Sequence, residues 1–265
     1  MYLQYWNLKR PPFSNAATDS FFFRSPQHEE ALTRLLFAIE NRRGVAMLTG
    51  EVGCGKTTVT KNLVRHLDAE KYRLQVLCNP ALSAAELLSA ILYVIGAPPT
   101  GFSKSAQLAQ LQETLLQQAR EGIHTVLAID EAHVIKDSET LDELRMLLNL
   151  QYEDQFLITL ILLGQPPLLK KVAELQPLKE RISVKYHLDS LNLGQTLKYI
   201  IYRLKQAGAR QGFFTREAVS MVHEYSQGIP LRINNTCDRC LLIGYLNRSS
   251  VVNTRTVQEA LEDLN

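Results

Sequence analysis

The stretch Gly50-Glu51-Val52-Gly53-Cys54-Gly55-Lys56-Thr57 constrains this chain more than any other part of it. It has the form G-x-x-x-x-G-K-[ST] and stands between an apolar run, Val45–Thr49, and a stretch with helical spacing, Lys56–Leu67. Strand, glycine turn and helix start in that order let backbone N–H groups and the positive end of the helix gather around phosphate. Lys56 is expected to bridge the β- and γ-phosphates of ATP, and the Thr57 hydroxyl to ligate Mg²⁺. The candidate nucleotide loop comprises Gly50, Glu51, Val52, Gly53, Cys54, Gly55, Lys56, Thr57 and Thr58. Cys54 reads either as a redox switch or, more plainly, as a small side chain at a variable loop position.

From Ser25 to about Asp189, β-branched and leucine-rich runs alternate with helical patterns, as in a parallel sheet covered by helices. Five strands are expected: Val45–Thr49, Arg73–Cys78, His124–Asp130, Phe156–Leu163 and Ser183–Leu188. Between them Lys56–Leu67, Ser83–Ile95, Lys104–Arg120 and Ser138–Leu150 carry helical periodicity, and Ser83 with Glu86 has the form of a capping box. After Ser190 the pattern is helical only, over Gly194–Gln206, Thr215–Tyr225, Pro230–Asn247 and Thr254–Asp263. The expected division is therefore an α/β core with an N-terminal extension over residues 1–190 and a helical domain over 191–265.

The run Thr125–Ile129 ends in Asp130-Glu131, and strand ends are where open α/β sheets place ligands. Asp130 is expected to hold Mg²⁺, and Glu131 to polarise the water that attacks the γ-phosphate. Asp130-Glu131-Ala132-His133 also spells a helicase signature, but a helicase needs a second nucleotide core, so His133 reads as a polar residue near the site. Gln165, ending the fourth strand, either touches the γ-phosphate and its water or opens the helix near Pro166. Arg181, before the fifth strand, is a candidate arginine finger for a neighbouring subunit or else part of a solvated basic patch; Lys179 and Lys185 are weaker candidates, lacking the planar fork.

A formal charge of +2 is too mild to announce a nucleic-acid partner, although Lys9-Arg10, Arg42-Arg43 and Lys170-Lys171 could contribute to a basic stripe. The longest apolar run, Leu157–Leu163, is far short of a membrane span, and the N-terminus lacks the pattern of a secretory signal, so a cytoplasmic location is expected, with any membrane association through a partner. Four cysteines do not make a disulfide framework; Cys237 and Cys240 have C-x-x-C spacing but sit in a helical stretch without further ligands.

These residues together resemble the ExeA/GspA family of AAA+ ATPases, which also has relatives of Trp6-Asn7-Leu8 to Pro12-Phe13, Phe21–Ser25, His28–Leu32, Leu163-Gly164-Gln165-Pro166 and Gly228-Ile229-Pro230 to Ile233-Asn234. The resemblance implies a P-loop α/β fold of AAA+ type with sheet order 5-1-4-3-2, a C-terminal helical lid, and a ring or filament with ATP and Mg²⁺ between subunits. It further implies Gln165 as sensor 1, Arg181 as finger and an arginine after the lid proline as sensor 2. Here the chain departs from the pattern, with Leu231 after Pro230 and Arg232 one place later, about 100° further round a helix. The function expected is an ATPase that assembles or remodels a secretion or pilus-type machine. The alternatives are an ATP-dependent, duplex-DNA-binding regulator of transposition of the TniB kind, and a slow nucleotide switch, against which Glu131 argues.

Overall fold

The structure, a computed structural model, describes residues 1–15, 21–101 and 103–264. In chain order its elements are α1 (Tyr2–Tyr5), α2 (Pro26–Glu40), β1 (Val45–Gly50), α3 (Lys56–His66), β2 (Tyr72–Leu77), α4 (Ala84–Val94), α5 (Lys104–Arg120) and β3 (His124–Ile129). There follow a 3-10 turn (Ala132–Val134), α6 (Ser138–Leu147), β4 (Gln151–Tyr152), β5 (Gln155–Phe156), β6 (Ile158–Gly164), α7 (Pro167–Glu174), α8 (Gln176–Arg181) and β7 (Ile182–Leu188). The chain closes with α9 (Leu193–Gln206), α10 (Arg216–Ser226), α11 (Pro230–Leu246) and α12 (Thr254–Glu262). By packing the chain forms two units, residues 28–50 with 59–188 and residues 1–27 with 51–58 and 189–265.

The first unit is built on a five-stranded sheet in the order β2-β3-β6-β1-β7, with parallel pairing throughout. Numbering only these strands along the chain gives the expected 5-1-4-3-2, read from the other edge. Every residue of β1, β3 and β6 is buried, which is why they read as continuous apolar runs; β7, on an edge, alternates buried and exposed positions. Val45 and Met47 of β1 with leucines and isoleucines from β3, β6, α4, α5 and α6 form one core, and the capping box at Ser83 and Glu86 starts α4 as expected. The expected strand start at Phe156 is corrected. Glu153 and Asp154 take left-handed conformations (φ 48° and 60°) in a two-residue turn between β4 and β5, so Phe156 closes a small hairpin and β6 begins at Ile158.

The second unit has its own core, in which Trp6, Leu8, Phe13 and Phe21 pack with residues of α9 to α12. The Trp6 indole N–H donates to the Leu241 carbonyl (2.8 Å) and the Tyr2 hydroxyl to Asp238 (2.6 Å). Arg203, buried on α9, donates to the carbonyls of Pro12 and Ser14 (both 2.6 Å) and lies over the Phe21 and Tyr199 rings. The reading that attached the N-terminal extension to the α/β core is thereby corrected: its aromatic residues complete the helical core, whose helices alone leave an apolar face uncovered. Side-chain caps start α9 (Asn192), α10 (Thr215) and α12 (Asn253), and Pro230 opens α11.

Candidate functional site

All strands of the sheet run the same way, so β1, β3 and β6 end side by side at one edge, with Ile129 opposite Leu162 and Thr49 opposite Gly164. Each of those ends leads directly into a segment singled out by sequence: β1 into the glycine loop, β3 into Asp130-Glu131 and β6 into Gln165.

The loop Glu51–Thr58 belongs to the helical unit. The Lys56 ammonium is buried and donates to the Glu51 carbonyl (3.0 Å), and Cys54 N–H reaches the same oxygen (3.3 Å). Gly53 has φ +81°, and a Cβ there would lie 2.3 Å from Cβ of Leu231, whose N–H donates to the Gly53 carbonyl (3.3 Å). The first turn of α11 thus rests on the loop through Leu231, while Arg232 is exposed. Nothing in the sequence pattern marks Leu231 as a loop contact; the clue was its displacement of an expected arginine. Burial pushes the Cys54 thiol up, which keeps it protonated and argues against a redox switch. Burial likewise raises the Cys237 and Cys240 thiols, the latter to about 12, and no cluster of three or more metal-ligating side chains occurs among the described residues.

In the sheet unit, Asp130 is buried and its Oδ1 accepts the Glu131 N–H (2.9 Å). Glu131 is held in the left-handed region (φ 56°, ψ 33°), a conformation that costs a non-glycine residue about 1–2 kcal/mol and marks a constrained position. Its Oε2 lies 3.5 Å from the Gln165 amide nitrogen and 3.3 Å from His133 Nδ1. Gln165 precedes α7, which opens at Pro167, so it occupies the helix-entry position as well as the strand end. Its side chain nevertheless turns to Glu131. His133 was legible only as a neighbour of the acids.

Arg181 stands elsewhere in the same unit. It ends α8 and is exposed at the edge where strands begin, one β7 length, about 20 Å, from the strand exits. There it lines a cavity of about 660 Å³ with Glu40, Arg42, Arg43, Asp154 and Glu180. The basic pairs are partly engaged: Arg10 donates to the Gln206 carbonyl (3.0 Å), Arg43 stacks on Phe37, and Lys171 donates to the His133 carbonyl (2.6 Å). No described helix is long and apolar enough to cross a membrane.

A model of the AAA domain matches residues 39–172, just over half of the chain. General secretion pathway protein A of Aeromonas hydrophila is 35% identical over 94% of this chain, which spans 46% of that relative's length. Cdc6p of Pyrobaculum aerophilum superposes with a TM-score of 0.73 at 17% identity, covering 95% of this chain and 70% of that one. The Aeropyrum pernix ORC1 protein, determined in complex with DNA, does so with a TM-score of 0.69 at 18% identity, covering 97% and 69%. The loop after β1, the acids after β3, the sheet order and these matches together place the chain in the AAA family of P-loop NTPases, with its sequence similar to General secretion pathway protein A.

Proposed function

We propose that the chain is an oligomeric ATPase that assembles or remodels a secretion or pilus-type machine. The observation that carries the chemistry is the end of β3, where Glu131 is held in a constrained conformation beside Gln165. In this reading the loop amides and Lys56 take the phosphates, Glu131 takes a proton from the attacking water, and Gln165 senses the γ-phosphate. The donors suit Mg²⁺: a carboxylate oxygen of Asp130 and the hydroxyl of Thr57 are the hard ligands that ion favours, one or two of which suffice beside phosphate and water. Mg²⁺ would neutralise charge on the phosphates. Arg232, exposed on the first turn of α11, is the arginine assigned to the nucleotide in this reading.

Arg181, standing a strand length from the exits, suits a finger offered to a second copy, and so supports a ring or filament. The errand rests on the similarity to General secretion pathway protein A, whose remaining length this chain does not match. A cytoplasmic location, with the membrane reached through a partner, follows from the same reading.

The test is the steady-state ATP hydrolysis rate against protein concentration, with Lys56→Ala and Glu131→Gln proteins alongside, with and without duplex DNA at two salt concentrations. The first variant is expected to lose nucleotide binding, the second to bind and not turn over, and wild-type rate to rise faster than concentration. Normal turnover by Glu131→Gln sinks the chemistry. Salt-sensitive stimulation by DNA replaces the secretion reading with the transposition one.

A further inference from the structure

His133, the last member of Asp-Glu-Ala-His, has no task in the scheme above, yet its surroundings hold it closely. The ring is 13% exposed. Lys171 donates to the carbonyls of His133 (2.6 Å) and Ile135, fixing the turn that carries the ring. On the other side β6 ends at Gly164, where a Cβ would stand 3.3 Å from the backbone nitrogen of His133 and 2.9 Å from the Leu168 side chain. A residue with a side chain there would push the turn away from the strand.

So positioned, Nδ1 of His133 meets two groups with opposite demands. Glu131 Oε2, 3.3 Å away, can only accept a proton, and the backbone N–H of Gln165, 3.4 Å away, can only donate one. One ring nitrogen serves either with its N–H or with its lone pair, never both. The Gln165 side-chain amide approaches the same Oε2 at 3.5 Å, while Oε1 has no partner among the described residues.

We propose that His133 is a positioning residue for Glu131: Nδ1–H tethers the carboxylate through Oε2 and leaves Oε1 turned to the attacking water. When the lone pair of Nδ1 instead accepts the Gln165 N–H, that tether is released, so His133 links the set of the γ-phosphate sensor to the set of the base. The inference rests on the reading of Glu131 as the base.

The experiment measures kcat and KM for ATP, and affinity for a fluorescent ATP analogue, in wild type, His133→Asn, His133→Leu, His133→Asp and Glu131→Gln. Asparagine places an N–H donor where Nδ1 stands, leucine places nothing and aspartate only an acceptor. Expected is a fall in kcat of about 10- to 100-fold for leucine and aspartate, with KM and analogue affinity within about 3-fold of wild type, and an asparagine variant within about 3-fold in kcat. Should leucine unfold the protein, asparagine against aspartate makes the same comparison. Equal kcat in all His133 variants, or equal loss in asparagine and aspartate, overturns the tether while a dead Glu131→Gln leaves the base standing. A fully active Glu131→Gln instead removes the base assignment itself.

Discussion

Acid should loosen the strand that carries the Asp130-Glu131 pair, and His124 sets the window. His124 opens β3, is 2% exposed, and shares a 2.8 Å hydrogen bond with Thr159 on β6, the strand that ends before Gln165. Burial, with the Arg42 cation adding to it, pulls its imidazole down to about 4. The ordinary value in an unfolded chain is about 6.5. Between those values the unfolded chain binds a proton that the folded one does not, so stability is full above about pH 6.5 and is lost as pH falls towards 4. Integrating the difference gives a loss of about 2 kcal/mol by pH 5 and about 3 kcal/mol by pH 4 relative to neutral pH. Carboxylates such as Asp137 and Asp142 are held below their usual range by hydrogen bonds, and so contribute mostly at lower pH. The assay is urea unfolding of wild type and His124→Gln at pH 7, 6, 5 and 4, followed by far-ultraviolet circular dichroism. Glutamine reaches Thr159 but does not titrate, so the difference between the two proteins should shift by about 2 kcal/mol in the variant's favour between pH 7 and pH 5. Parallel curves over that range would refute the reasoning.

Other perturbations test the remaining contacts. Gly53→Ala puts a Cβ 2.3 Å from Leu231 Cβ at φ +81°, and should weaken ATP binding at least about 10-fold in an equilibrium titration. Adding Leu231→Gly, which removes the opposing Cβ, should recover only part, because the backbone cost of about 1 kcal/mol stays. Arg203→Leu strands the Pro12 and Ser14 carbonyls and should lower the melting free energy by roughly 2–4 kcal/mol, with the first 15 residues becoming protease-sensitive; Arg203→Lys should not restore it, since one ammonium cannot match the fork. If Arg181 acts on a second copy, an excess of Arg181→Ala protein mixed with wild type should depress wild-type turnover, whereas additive rates would reject the shared site.

Local information in the sequence went far because the chemistry is local. A phosphate loop needs its glycines, lysine and threonine within eight positions, and the buried strands β1, β3 and β6 betray themselves as apolar runs because both faces are covered. Family resemblance added the sheet order, which periodicity cannot supply. What tertiary structure decided is what depends on residues far apart in the chain meeting. Trp6, Leu8 and Phe13 look like any apolar N-terminal stretch until α9 to α12 offer the face they cover. Leu231 reads as a missing arginine until Gly53, which has no side chain to keep it away, lets it rest on the loop. The turn at Glu153-Asp154 hides in the sequence because neither residue is glycine. His133 reads as an idle neighbour of two acids until the end of β6 brings the Gln165 amide to the same nitrogen. Spacing along the chain fixes which groups can share a turn; only packing fixes which groups from different turns must share one hydrogen-bonding atom.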